Sequence, residues 1–372
     1  MVAVPFTANA FLSQHILALA SKYRVAIALN GGVQDLRPEL RQTEIHRFCI
    51  VREIAPLCDL IALISLWNLF RRERFDIIHS MSPKAGLLAT IAGFLAGVPV
   101  RIHWFTGQVW ATRRGSMRFV LKTMDQITSR CATHLLSDSH SQAKFLVAEK
   151  VISADAIQVL AGGSACGVDI LRFHPDLGAR NRIRAGYGIS DEATVVLFVG
   201  RIQTEKGIRE LCAAFLAAAK SCPQLHLILV GPDEAGMEKY IRALLAEESK
   251  KLHWAGLTEK PEEYMAASDF LVLPSYREGF GSVVIEAAAC GIPSIGTDIY
   301  GLSDAILDRE TGFLVPVGSA KALEAAILRL ALDAAKRKRM GESAMARVLE
   351  QFRQDILIEA LLKYYERILA RQ

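Results

Sequence analysis

The sequence predicts an α/β protein made of two doubly wound domains with parallel sheets, on three observations. Short runs of β-branched and aromatic residues alternate with longer helical stretches, which is the rhythm of strand, crossover helix and parallel strand. A charged interval over residues 172–192 interrupts that rhythm once, and it then restarts. The chain has 372 residues, of which 51% are hydrophobic and 22% charged, enough for two separate cores.

The first rhythm places strands at residues 25–29, 76–79, 100–105, 135–137 and 157–160, with a helix over 84–96. Its most apolar stretch, residues 60–70, is far shorter than a membrane-spanning helix and runs into Arg71-Arg72-Glu73-Arg74, so it reads as an amphipathic or core helix. The second rhythm has strands at 195–200, 225–230, 270–273 and 293–296. Helices fill the chain from residue 319 onward. No low-complexity tract or short-period repeat occurs.

The most informative segment is Leu273-Pro-Ser-Tyr-Arg-Glu278-Gly-Phe-Gly-Ser-Val-Val-Ile-Glu286. It sets two carboxylates on either side of a Gly-Phe-Gly turn leading from an apolar strand into a helix. The amides of Gly279, Phe280 and Gly281 suit an anion there, because no bulky side chain obstructs them and the helix opening near Ser282 adds unpaired donors and the positive end of its dipole. The carboxylates suit neutral hydroxyl groups. Amides for phosphate beside carboxylates for polyols describe a nucleotide-sugar site. Spacing alone proves little, since Glu342 and Glu350 share it within a polar, Ala- and Arg-rich stretch that reads as a solvated helix face.

A second element supports this. The run Val195-Val-Leu-Phe-Val-Gly200 is followed by Arg201-Ile-Gln-Thr-Glu-Lys206-Gly207, which puts two cations where a buried strand ends and a helix begins. Ligands of open α/β sheets collect at that position, and two cations there neutralise a diphosphate. The plainer alternative pairs Arg201 with Glu205 and leaves Lys206 on the surface.

Together these segments resemble the retaining glycosyltransferases of family 4, whose signature is G-R-x4-K-G followed by E-x7-E. Here it is Gly200-Arg201…Lys206-Gly207 and Glu278…Glu286, with looser matches at Asp76-Ile-Ile-His79, Gly97-Val-Pro99, Gly167-Val-Asp169, Phe173-His-Pro175 and Ser268-Asp269. The resemblance implies a GT-B fold, two Rossmann-like domains facing each other across a cleft: residues 1–172 for the acceptor, 173–350 for the nucleotide sugar, and a helix over 351–372 crossing back. It also implies roles. Arg201, Lys206 and Glu278 are catalytic; Gly200, Arg201 and Lys206 hold the diphosphate; Glu278 takes sugar hydroxyls; Gly279, Phe280, Gly281 and Ser282 present amides; Glu286 takes the ribose; and the nucleobase lies against the loop containing Leu257.

On the acceptor side the sequence departs from many relatives. Thr106, in His103-Trp-Phe-Thr106-Gly107, stands where they carry a histidine, so Thr106 and Gln108 are expected to meet sugar or acceptor, with His103 a satisfied strand histidine. The first loop reads Val4-Pro-Phe-Thr-Ala-Asn-Ala10 in place of a Gly-Gly pair. The stretch His79-Ser-Met-Ser-Pro-Lys84-Ala-Gly86 resembles the subgroup that extends polyprenyl-diphosphate-linked sugars in bacterial surface polysaccharide synthesis, where Lys84 at a helix start would meet the acceptor diphosphate.

Composition excludes several other classes. No G-x-G-x-x-G follows a first strand, against a nicotinamide enzyme, and no D-x-D occurs, so the expected chemistry is metal-independent with no cofactor besides the donor substrate. Seven cysteines without a C-x-x-C pair fit reduced thiols of a cytoplasmic protein, and the N-terminus shows no secretory signal. Residues 1–170 carry 18 Lys and Arg against 12 Asp and Glu. That excess fits a phosphorylated acceptor or peripheral contact with an anionic membrane through Arg71-Arg72-Arg74 and Arg113-Arg114…Arg118…Lys122. No aromatic-basic motif accompanies it, which argues against nucleic acid.

The expected activity is transfer of a hexose or N-acetylhexosamine from a UDP-sugar to a lipid-linked saccharide, with retention. The alternatives are a GDP-sugar donor, a nucleotide-sugar 2-epimerase on the same plan, and a non-catalytic nucleotide-sugar-binding partner of an assembly complex.

Overall fold

A computed structural model of the protein describes residues 2–3, 5–50 and 55–370. Val4, at the head of the first loop, lies outside them. The chain divides into two units, Met1–Cys166 with Asp355–Gln372, and Gly167–Gln354. Backbone bonds set these limits: Val168 N donates to Phe352 O at 2.8 Å and Gln354 N to Val168 O at 2.9 Å, so both crossing segments belong to the second unit.

The first unit holds a seven-stranded parallel sheet of β1 (Val2–Ala3), β2 (Ala26–Leu29), β3 (Glu44–Arg47), β4 (Ile77–Ser80), β5 (Val100–Phe105), β6 (His134–Ser137) and β7 (Ile157–Val159), in the order β3-β2-β1-β4-β5-β6-β7. Its helices are α1 (Ser13–Ala20), α2 (Pro56–Glu73), α3 (Pro83–Ala96), α4 (Gly115–Cys131) and α5 (His140–Ala148). The apolar stretch at 60–70 is the middle of α2, which buries Ala62, Leu66, Leu69 and Phe70. His103 on β5 is buried, with Ser80 Oγ 2.9 Å from its Nδ1.

The second unit holds a six-stranded parallel sheet of β8 (Thr194–Val199), β9 (Leu225–Val230), β10 (Leu252–Gly256), β11 (Phe270–Leu273), β12 (Ser294–Thr297) and β13 (Gly312–Val315), in the order β10-β9-β8-β11-β12-β13. Strands β8 and β11 are apolar almost throughout because helices cover both faces. The helices that position the site are α6 (Leu177–Tyr187), α7 (Ile208–Ser221), α8 (Glu238–Leu244), α9 (Pro261–Ala267) and α10 (Ser282–Ala289). After these come α11 (Leu302–Ala305), α12 (Ala320–Ala331) and α13 (Ala334–Gln351). Helix α14 (Gln354–Leu369) returns to the first unit, where Leu357, Leu361 and Tyr365 join the core.

The charged interval at 172–192 is not a break in the architecture. It contains α6, whose Arg180 and Arg184 pair with Asp269 at 2.9 and 2.8 Å, while Asp269 also accepts the amide of Val195 at 2.6 Å. Arg184 is fully buried. Its charge is tolerated because Asp269 and three backbone carbonyls, those of Ala267, Ser190 and Ala193, take up its donors. Of the seven cysteines, Cys166, Cys212, Cys222 and Cys290 are buried, Cys131 is half-buried, and Cys49 and Cys58 are exposed; all are free thiols.

Candidate active site

In the second unit the strand order reverses between β8 and β11, which pair in parallel with Phe270 opposite Val196. Crevices for ligands open beyond the carboxyl ends of the strands at such a switch point. Both motifs leave from there: Gly200-Arg201 from β8, and Pro274 to Glu278 from β11.

The turn after β8 is fixed by close backbone approaches. Gly231 has φ +135°, and a Cβ on it would lie 1.9 Å from the carbonyl oxygen of Gly200. Ile202 N donates to Pro232 O at 2.8 Å, tying the Arg201 loop to the loop after β9. Arg201 is thereby presented to Glu234, with Nη1 to Oε2 at 2.9 Å, and both side chains are about one-third exposed. Glu205, the partner the plainer reading offered to Arg201, pairs with Arg277 at 3.2 Å. Lys206 closes a short 3-10 turn. Gly207 follows it in the left-handed region, and a Cβ there would sit 2.0 Å from Pro274 O. The final glycine of the motif thus permits the β8 turn to lie against the exit of β11.

That contact brings the motifs together. Lys206 Nζ ion-pairs with Glu278 Oε1, and the buried Ser275 hydroxyl donates to the same oxygen at 2.7 Å. Oε2 of Glu278 meets no donor among the described residues. Thr297 Oγ1 donates to Ser275 O and Tyr276 N donates to Glu205 O at 2.9 Å, so the segment before Glu278 is held from both sides. Ser275 and Glu234 went unassigned in the sequence. Their signal was position: Ser275 stands three residues before Glu278, and Glu234 sits in the turn leaving the strand next to β8.

The Gly-Phe-Gly turn is built as a backbone surface. The Phe280 ring lies 5.3 Å from that of Phe352 and anchors the turn, with the whole residue buried. Gly281, with φ +84°, caps α10 ahead of Ser282, and a Cβ on Gly301 would lie 2.6 Å from Gly279 O, so a second loop backs the turn. Glu286 lies one turn into α10. Burial pushes its carboxyl up to about 7; the Arg172 charge opposes that rise and Glu262 adds to it, Arg172 and Glu262 being paired at 2.8 Å. Glu286 is partly exposed and meets no hydrogen-bond donor among the described residues. Leu257, just after β10, is strongly exposed.

In the first unit, Lys84 opens α3 and pairs with Asp59 at 2.5 Å. Thr106 is half-buried at the end of β5, and its carbonyl accepts from Gln108 Nε2 at 2.7 Å and Gln142 Nε2 at 2.6 Å. Gln108 itself is buried, its carbonyl accepting from Gln142 at 3.2 Å. Its side chain ties the loop together.

Residues 179–347 match the family model of glycosyl transferases group 1, and residues 10–163 match that of the glycosyl transferase 4-like domain. The chain is also 31% identical over 337 residues to the capsular polysaccharide biosynthesis glycosyltransferase CapM of Staphylococcus aureus, covering 89% of this chain and 88% of that protein. The protein belongs to the group 1 glycosyl transferases. A further relative of this transferase is the UDP-Gal:alpha-D-GlcNAc-diphosphoundecaprenol alpha-1,3-galactosyltransferase of Escherichia coli, 27% identical with 76% and 73% of the two chains covered. Among solved structures the enzyme is similar to Anabaena HepE in complex with UDP and glucose, with TM-score 0.79, 18% identity and 98% of each chain covered. It is also similar to sucrose-phosphate synthase from Thermosynechococcus elongatus, with TM-score 0.80, 22% identity, and 100% and 98% covered. These likenesses identify the GT-B fold. No helix among the described residues of the transferase is long and apolar enough to cross a membrane.

Proposed function

We propose that this transferase moves a hexose or N-acetylhexosamine from a UDP-sugar to a saccharide carried on a polyprenyl diphosphate in surface polysaccharide or O-antigen synthesis, retaining the anomeric configuration. The observation that carries the reading is the Lys206–Glu278–Ser275 cluster at the switch point beside Arg201. One carboxylate oxygen of Glu278 is committed to Lys206 and Ser275, and the other is left to accept a sugar hydroxyl. Arg201 and Lys206 face the donor diphosphate, with Glu234 and Glu278 as their partners before the donor arrives. Amides of Gly279 to Ser282 add donors, Glu286 takes the ribose hydroxyls, and the exposed Leu257 borders the base.

The acceptor hydroxyl bonds to the anomeric carbon as the bond from that carbon to the diphosphate oxygen breaks and its electron pair leaves with UDP. The hydroxyl proton passes to the departing phosphate. Negative charge therefore grows on the diphosphate in the transition state, and Arg201 and Lys206 stabilise that state more than the ground state. Their charge supplies the role a metal has in other transferases, so the proposed chemistry is metal-independent. Lys84 and Thr106 are assigned to the acceptor, Gln108 acts behind Thr106, and the protein works in the cytoplasm at the inner face of the membrane. The homology to a UDP-galactose-dependent enzyme acting on a diphosphoundecaprenol-linked sugar favours UDP and this acceptor class.

Thermal shift against UDP-, GDP- and ADP-sugars tests the donor. A ligand at 100 times its dissociation constant adds about 2.7 kcal/mol, and stabilisation by UDP compounds alone is the expected result. A response to GDP-sugars alone would replace the base assignment.

A further inference from the structure

We infer that the rim of the first unit formed by the starts of α2 and α4 docks on an anionic lipid bilayer, which deepens the membrane-peripheral part of the proposed function. Helix α2 buries one face and leaves a second apolar face uncovered: Leu57, Leu60, Ile61 and Ile64 follow the i, i+3, i+4, i+7 pattern of a single stripe, with Leu57 78% and Ile61 66% exposed. Helix α4 also begins with exposed apolar side chains. Met117, Phe119 and Val120 are exposed, Phe119 by 72%, directly after the exposed Arg113 and Arg114.

Topology puts the two on one rim. Helices α2, α3 and α4 pack side by side, α2 on α3 and α3 on α4. Each is followed by a strand of the same parallel sheet, so each runs against the strand direction and starts at the carboxyl ends of the strands. Lys84 and Thr106, assigned to the acceptor, lie at those same ends.

Charge selects a bilayer over other apolar partners. Residues 112–120 contain no Asp or Glu, and among the described residues the acid beside the α2 stripe, Asp59, is paired with Lys84 at 2.5 Å. Arg114 makes no ion pair among the described residues. A surface whose described residues offer large apolar side chains beside cations, with Asp59 already paired, matches an anionic headgroup layer over acyl chains. The basic clusters named from sequence are thereby revised. Arg118 and Lys122 are both held by Glu149 at 2.7 Å, and Arg71, Arg72 and Arg74 lie at the far end of α2.

The test is co-sedimentation of the full-length protein with phosphatidylglycerol-containing vesicles and with pure phosphatidylcholine vesicles. Three proteins are compared: the wild type, a triple variant (Leu57→Ser, Ile61→Ser, Phe119→Ser) and a pair variant (Arg113→Gln, Arg114→Gln). The expected result is binding to the anionic vesicles, weakened by roughly tenfold or more in the triple variant at unchanged melting temperature. The arginine pair variant should lose the preference for anionic vesicles while still folding, which keeps the test valid if the triple variant does not fold. Wild-type protein that ignores anionic vesicles overturns the inference. So does a triple variant that dissociates a dimer in sedimentation velocity while still binding vesicles as before. Transfer to a short-chain, water-soluble acceptor is measured alongside: vesicle binding without any transfer leaves the docking surface standing and refutes the proposed activity.

Discussion

Two pairs of glutamates in this chain share one spacing and nothing else. Glu342 and Glu350 are exposed on α13, and Glu342 stands 3.9 Å from Lys338. An exposed pair of that kind contributes little. Glu278 lies in the turn that follows a buried strand, clamped on one oxygen by Lys206 and Ser275, and Glu286 is a desolvated carboxyl on the helix behind the glycine turn. The difference teaches that one interval can hold two different settings: in the first pair a strand end precedes it and a glycine turn lies inside it. In a continuous helix the same interval sets both groups in water.

The most direct way to break the comparison is substitution across both pairs. Glu278→Gln and Lys206→Ala should each lower kcat by roughly 10²- to 10³-fold, about 3–4 kcal/mol of transition-state stabilisation, whereas Glu342→Gln and Glu350→Gln should leave it unchanged in the same transfer assay. Equal effects at the two pairs would end the argument. Gly207→Ala comes next. It forces a side chain into the left-handed region and against Pro274 O, so both the melting temperature and transfer should fall, the backbone strain alone costing about 1–2 kcal/mol.

Ser275→Ala sharpens the clamp. It removes a hydrogen bond to a charged group worth about 1.5–3 kcal/mol, so kcat/KM should drop by roughly ten- to a hundredfold in the same transfer assay.

Glu286 provides a pH test that neither Glu342 nor Glu350 can imitate. Its folded-state pKa of about 7 is above the usual 4.5, so protonation favours the folded protein. The stability gained from this group appears as pH falls through 7 and is complete below about 4.5; above 7 the buried charge costs stability. Accepting ribose hydroxyls favours the carboxylate, so UDP should bind up to about tenfold more weakly at about pH 6 than at about pH 8, with proton release visible by calorimetry in buffers of different ionisation enthalpy. Glu286→Gln should abolish both dependences. The smallest effect is expected at Glu234, whose part-exposed pair with Arg201 is worth about 0–1 kcal/mol. Glu234→Gln should tighten UDP binding no more than about fivefold, most clearly at low salt.

Much of this site was legible beforehand because its local chemistry is continuous in sequence. The apolar run before Arg201, the glycines around Phe280 and the strand before Pro274 each state an element and its end. What was not legible were pairings set by neighbours distant in the chain. Arg201 turned out to be matched with Glu234 and not Glu205, since the choice depends on β9 lying beside β8. The charged interval at 172–192 looked like an interruption, but Asp269, far along the chain, makes its arginines part of a core. Gln108 was expected to meet sugar or acceptor, but it is buried, and Gln142, which hydrogen-bonds it, is on α5.

The sequence alone determined the two parallel-sheet rhythms, the strand ends from which the signature residues leave, and the family signature, because these follow from side-chain periodicity and from what glycine permits. Tertiary structure alone decided which charge meets which, the raised carboxyl of Glu286 and the uncovered stripe of α2. Ion pairing and desolvation depend on distances across the fold, and order along the chain does not encode them.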